Sequence, residues 1–171
     1  MRKFLALAVL LVAAPMASQA APLALNSGWQ GFDWSGYVAA PFDRTFEFTV
    51  AAGETAALRV TDAFLSGDQF LIYNYNPIFG TLGLTSSPTS FGDSTTSYDV
   101  AFADSRWSSG QWLLGAGAYS IRGLATLSPF GGGAGALRVD RISVSEPSAL
   151  VLIMLAGFAA FFFMRRSSVK K

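Results

Sequence analysis

The chain has 171 residues, 51% of them apolar and 13% charged, with a net charge of +1. Cysteine and histidine are both absent, which excludes disulfides, thiolate or imidazole metal sites, a cysteine nucleophile and a Ser-His-Asp triad. Residues 21–145 hold six arginines, ten carboxylates and no lysine, a balance of −4. Such a stretch is poorly suited to nucleic acid, whose binding rests on phosphate neutralisation, and it offers no amine for a Schiff base.

The N-terminus opens with Arg2 and Lys3, followed by an apolar run over residues 4–14 and then Pro15. Small residues Ser18 and Ala20 stand at −3 and −1 of a cleavage position after Ala20. That is the layout of a secretory signal peptide over residues 1–20, and the run is too short for the roughly 20 residues of a membrane span.

Residues 21–144 read as one domain. Residues 45–50 alternate, with Phe46, Phe48 and Val50 on one face, which predicts a half-buried strand. After the turn at Gly53, residues 57–61 predict a second strand, and Gly67-Asp68 opens a third over 69–73. Residues 98–102 predict a fourth and 119–124 a fifth. The last and longest covers 136–144, with a break of phase at Asp140-Arg141 that suggests a bulge or twist. The polar stretch 85–97 and the triplet Gly131-Gly132-Gly133 read as an exposed loop and a flexible connector. Short strands separated by Gly, Ser, Asn and Pro point to an all-β fold, an antiparallel sandwich or jelly roll. Phe64, Phe70, Tyr73, Phe102, Trp112 and Tyr119 are its expected aromatic core.

The C-terminus, 145–171, has three parts. Ser145-Glu146-Pro147-Ser148 comes first; residues 149–164 follow without a charge or a hydrogen-bonding side chain; Arg165, Arg166, Lys170 and Lys171 close the chain. As a helix the apolar run would cover roughly 24 Å against a hydrocarbon thickness of about 30 Å, and snorkelling at its ends makes up the difference. The trailing cations stop transfer and keep the tail in the cytoplasm, so the expected topology is a single-pass anchor in the inner membrane with the domain outside.

This tripartite tail resembles the PEP-CTERM sorting signal of proteins exported by exopolysaccharide-producing Gram-negative bacteria. Glu146-Pro147-Ser148 matches the second half of the V-P-E-P-S/T pattern, and Ser145 stands where the first proline is usual. The resemblance implies an exosortase-type processing enzyme as partner, contact with the lipid bilayer, and release to the cell surface or extracellular matrix. The order of a strand, Ala-Ala-Gly-Glu, a strand, Gly-Asp-Gln-Phe-Leu-Ile-Tyr and, later, Gly-Ala-Tyr-Ser-Ile is similar to exported β-sandwich domains ahead of such tails. It is also similar to bacterial pre-peptidase C-terminal domains.

Three chemistries remain for the domain. Asp62 and Asp68 flank a turn, where carboxylates and carbonyls can hold calcium, although the same acids serve ordinary turn chemistry. Paired carboxylates can also run glycoside hydrolysis when about 5 to 9 Å apart, but ten acids make some close pair expected by chance. Finally, among Trp29, Trp34, Trp107 and Trp112, Trp107 lies in a polar run where an exposed platform could stack on a sugar, with exopolysaccharide the natural ligand. No cofactor and no catalytic residue is expected. The leading expectation is therefore an exported, non-enzymatic surface or matrix protein. A carbohydrate-binding module is the alternative, with a glycosidase third.

Overall fold

A computed structural model describes residues 21–76 and 80–142. The elements in chain order are β1 (Ala21–Pro22), β2 (Gln30–Ser35), β3 (Ala40–Pro41), β4 (Phe46–Val50), β5 (Thr55–Asp62), β6 (Phe64–Leu65), β7 (Gln69–Asn74), β8 (Gly80–Leu84), β9 (Ser94–Thr95), α1 (Tyr98–Ala103), β10 (Ser109–Leu114), β11 (Gly117–Leu127) and β12 (Gly132–Ile142). The signal peptide, the sorting motif, the apolar segment 149–164 and the basic tail lie outside the described residues. Among the described residues no helix is long and apolar enough to cross a membrane.

The strands form two main sheets. One runs in the order β1-β4-β11-β7-β8, with β3 also on β11; the other runs β10-β5-β12-β2. All pairings are antiparallel except β1 with β4. A small third sheet joins β6 to β9. Alternation explains why the two large sheets face each other: β4 buries Phe46, Phe48 and Val50 and exposes Glu47 and Thr49, and β2 buries Phe32 and Trp34. Side chains from both sheets meet in one core. Phe70 of β7 lies edge-on to Phe32 and Trp34 of β2, at centroid distances of 5.6 and 4.9 Å. The all-β sandwich expected from the sequence is the fold.

Several details differ. Residues 98–102 are helical rather than extended. Their apolar residues alternate as in a strand, but Ser97 caps the segment by accepting from the Val100 N–H, and Asp99 sits in the first turn, both helix-start signals. The Gly131–Gly133 triplet is not a connector. Gly132 and Gly133 begin β12 and pair with Ser35 and Trp34; at Gly132, with φ +141, a Cβ would lie 2.8 Å from the Trp34 carbonyl oxygen. The phase break at Asp140-Arg141 is no bulge, because β12 pairs with β5 in unbroken register from Gly135 to Ile142. The strand simply runs out of the core there, leaving Arg141 and Ile142 exposed.

The stretch 85–97 is not wholly an exposed loop. Thr85 is buried and its Oγ1 accepts the Phe70 N–H at 2.9 Å. Of the expected aromatic core only Phe70 is fully buried; Phe64 is exposed and Tyr73, Phe102, Trp112 and Tyr119 are half-buried. The centre is instead built by Phe32, Phe42, Phe46, Phe48 and Trp34.

Glycine makes room for these rings. A Cβ on Gly123 would lie 2.5 Å from two Phe42 ring atoms and 2.9 Å from Ile72 Cδ1, and both neighbours are completely buried. Gly123→Ala is therefore expected to destabilise the domain by about 1–3 kcal/mol, the usual range for overpacking. A urea titration checks this: the midpoint should fall with an unchanged slope.

Candidate functional site

Two carboxyls meet at one end of the sandwich. Asp62 ends β5 and Asp68 immediately precedes β7. The short segment between them folds back on itself. Phe64 takes φ 61, a conformation rare for an aromatic residue. Gly67 takes φ +137, where a Cβ would strike Phe91 at 2.9 Å and Pro129 at 3.1 Å. Asp62 organises this turn. Its Oδ1 accepts the Ala63 N–H at 2.7 Å, and its Oδ2 accepts those of Gly67 and Asp68, each at 3.2 Å. The turn is clipped from outside as well: Ser66 donates its N–H to the Asp93 carbonyl and accepts the N–H groups of Gly92 and Asp93.

Both acids are buried, Asp62 at 0% and Asp68 at 2% exposure. Desolvation, followed by the charge of Asp68, pushes Asp62 up to about 8 against the pull of its three backbone N–H donors. Desolvation likewise raises Asp68 to about 6, while Ser128 and Asp62 hold it down. Ser128 Oγ accepts from Trp34 Nε1 at 3.0 Å and from the Gly132 N–H at 3.1 Å, so its own hydrogen is left for Asp68. The two titrations are therefore coupled, the charge of Asp68 raising Asp62.

Above Asp68 lies a cavity of about 280 Å³, walled by Phe64, Leu65, Phe130 and the backbone of Gly132–Ala134. Asp68 forms part of its lining, with Oδ2 beside Gly133. Its Oδ1 is buried without a hydrogen-bond partner.

The sequence singled out Asp62 and Asp68, and the fold brings them together. It does not give them the company calcium needs. Among the described residues no group of three or more acids gathers, and calcium takes 6–8 oxygens. Nor is the pair a glycosidase pair. Asp62 is sealed from solvent and Asp68 nearly so, whereas sugar chemistry needs the anomeric carbon between the two acids.

The sugar platform at Trp107 is overturned: its side chain is 1% exposed. The guanidinium of Arg106 lies 4.9 Å from the centre of its ring. Trp34 is buried too. Trp29 and Trp112 are half-buried and engaged, Trp29 donating to Asp99 beneath the Arg138 guanidinium and Trp112 packing on the core. The predicted sorting and cleavage residues (Ser145, Glu146, Pro147, Ser148, Arg165, Arg166, Lys170, Lys171, Ser18 and Ala20) fall outside the described residues. Sequence reasoning missed Ser128, Phe130 and Gly133. They sit in a Ser-Pro-Phe-Gly-Gly-Gly run whose composition reads as linker.

No family model matches this chain, and no curated protein matches it. Among solved structures it is similar to the crystal structure of the pre-peptidase C-terminal domain of collagenase from Bacillus anthracis. That match has 12% sequence identity and a TM-score of 0.43, covering 72% of this chain and 97% of that chain.

Proposed function

We propose that this chain is an exported, non-enzymatic β-sandwich protein, held in the inner membrane by its C-terminal segment and sorted to the cell surface or extracellular matrix. The observation that carries the reading is the junction between body and tail. β12 is an inner strand, flanked by β5 and β2, and runs to Ile142. Only Ser143 and Val144 separate it from Ser145-Glu146-Pro147-Ser148 and the apolar run beyond. The folded body therefore stands directly ahead of the motif an exosortase-type enzyme would process, and a cut there leaves every described strand in the chain. The acidic, lysine-free composition of the domain argues against a nucleic-acid partner.

Intact mass of the native protein from membrane and extracellular fractions tests this. The expected species begins at Ala21, ends between Ser145 and Ser148, and is found outside the cell. A membrane-bound species retaining Lys171 would keep export and anchoring but refute sorting. A cytoplasmic species retaining Met1 would refute the whole reading.

A further inference from the structure

The cavity over Asp68 has a chemistry that its surroundings leave unbalanced. The buried Asp68 is part of its lining, and among the described residues no arginine pairs with that acid. All six arginines of the described residues are committed elsewhere. Arg44 pairs with Asp43, Arg59 with Asp140, Arg106 with Asp104 and Asp93, Arg138 with Asp99 and Asp140, and Arg141 with Glu54. Arg122 donates to the Phe42 carbonyl. Lysine and histidine do not occur between residues 21 and 145. Meanwhile Asp68 Oδ1 has no hydrogen-bond partner, a state that is costly for a buried carboxylate.

The walls narrow the missing cation. Phe64 and Phe130 line the opening and are 44% and 50% exposed, and Leu65 stands beside them. Aromatic faces over a carboxylate attract positive charge through the ring quadrupole, and carbon-rich walls favour a cation that carries its own hydrocarbon. A bare divalent ion wants oxygen on every side, which these walls do not give. The unusual backbone of Phe64, with φ 61, turns an aromatic residue to the cavity's edge. Strain of this kind persists where surrounding structure enforces it and often marks a ligand site. The volume, about 280 Å³, lies near the lower end of ligand pockets, about 300–1,000 Å³, and so suits a small group.

We infer that the cavity bounded by Phe64, Leu65, Phe130 and Gly133 is a binding site for a small organic ammonium group, seated on the Asp68 carboxylate. The inference is independent of how the tail is processed.

The test is calorimetric titration of the full chain in a non-ionic detergent micelle. Choline chloride is the probe, 3,3-dimethylbutanol its neutral isostere, and calcium chloride the competing cation. Choline is expected to bind at least about tenfold more tightly than the alcohol, the scale of a desolvated cation–π and charge contribution. Asp68→Asn should erase that tenfold preference. Because this substitution also alters the buried pair and with it folding, Phe130→Ala provides a second arm. The Phe130 side chain is half-exposed, so its loss should leave the domain folded, with a modestly lowered Tm, while weakening choline several-fold. Equal binding of choline and the alcohol would reduce the cavity to an apolar hole and overturn the inference. Calcium binding without choline binding would overturn it in favour of a metal. Silence of all three probes at tens of millimolar would overturn it outright.

Discussion

Raising the pH from about 5 to about 8.5 is expected to destabilise this domain, and Asp62→Asn/Asp68→Asn is expected to abolish most of that loss. The sign follows from the acid pair. In the unfolded chain both carboxyls titrate near 3.8; in the folded domain they rise to about 8 and about 6, chiefly through desolvation. A group whose folded pKa is raised holds its proton longer in the native state. Its contribution is complete below the unfolded value and disappears as pH climbs through the folded one. Each unit of displacement carries about 1.4 kcal/mol, so the pair withdraws several kcal/mol from the native state by about pH 8.5.

Two other shifted acids do not imitate this effect. Burial raises Asp43, but the Arg44 guanidinium more than offsets it, and hydrogen bonding from Arg106 lowers Asp104. Both therefore lose stabilisation only in acid, outside the window. Melting curves across that range decide the matter. A wild-type Tm that is flat or rises between about pH 5 and about pH 8.5 would contradict the upward shift of the two buried acids. Asp62→Ala is a harsher change. It strips the acceptor from three N–H groups of a buried turn, and its cost should be largest near pH 5, at about 3–5 kcal/mol, and shrink as pH rises and the wild-type acids ionise.

How far this site was readable depends on the physics behind each residue. The spacing of Asp62 and Asp68 around Gly67 announced a turn, and β5 and β7 on either side announced themselves by alternation. Burial of both acids was not readable. It is decided by Pro129 and Phe130 closing over Gly67 from more than sixty positions away, and local pattern carries no such information. The same limit explains Trp107. A flank of Asp, Ser and Arg reads as surface, yet Arg106 stretches over the indole and its alkyl stem lets a charged residue serve as a lid. β2 escaped detection because only Phe32 and Trp34 mark its inner face, and β10 because Gly110 interrupts the face that carries Trp112 and Leu114. At Gly110 a Cβ would lie 2.5 Å from Trp112 Cη2, so the interruption is itself a packing device.

Phe70→Ala should be the most damaging single truncation in the core, at about 3–5 kcal/mol. Phe70 is completely buried on β7. Its ring meets Phe32, Trp34 and Phe42 edge-on at interplanar angles of 83°, 72° and 80°, and Phe32 and Phe42 stack at 3.7 Å. Edge-on pairs add about 0.5–1.5 kcal/mol each beyond the area they bury, and truncation loses several at once. There is no disulfide to hold the sheets together in compensation, and domains of this size are stable by only about 5–15 kcal/mol. Phe70→Leu keeps most of the volume and should cost clearly less.

Urea denaturation of the two variants separates ring geometry from bulk. Equal losses would mean that the edge-on contacts contribute nothing beyond volume. The damage should also reach the acid pair. Trp34 packs on Phe70 with one edge and donates to Ser128 with its Nε1, so a loosened Trp34 withdraws the support that keeps Ser128 against Asp68. Phe70→Ala is thus expected to blunt the pH dependence of stability as well as lower stability itself. A variant that loses stability yet keeps the full wild-type pH slope would show that the core and the acid pair are held independently.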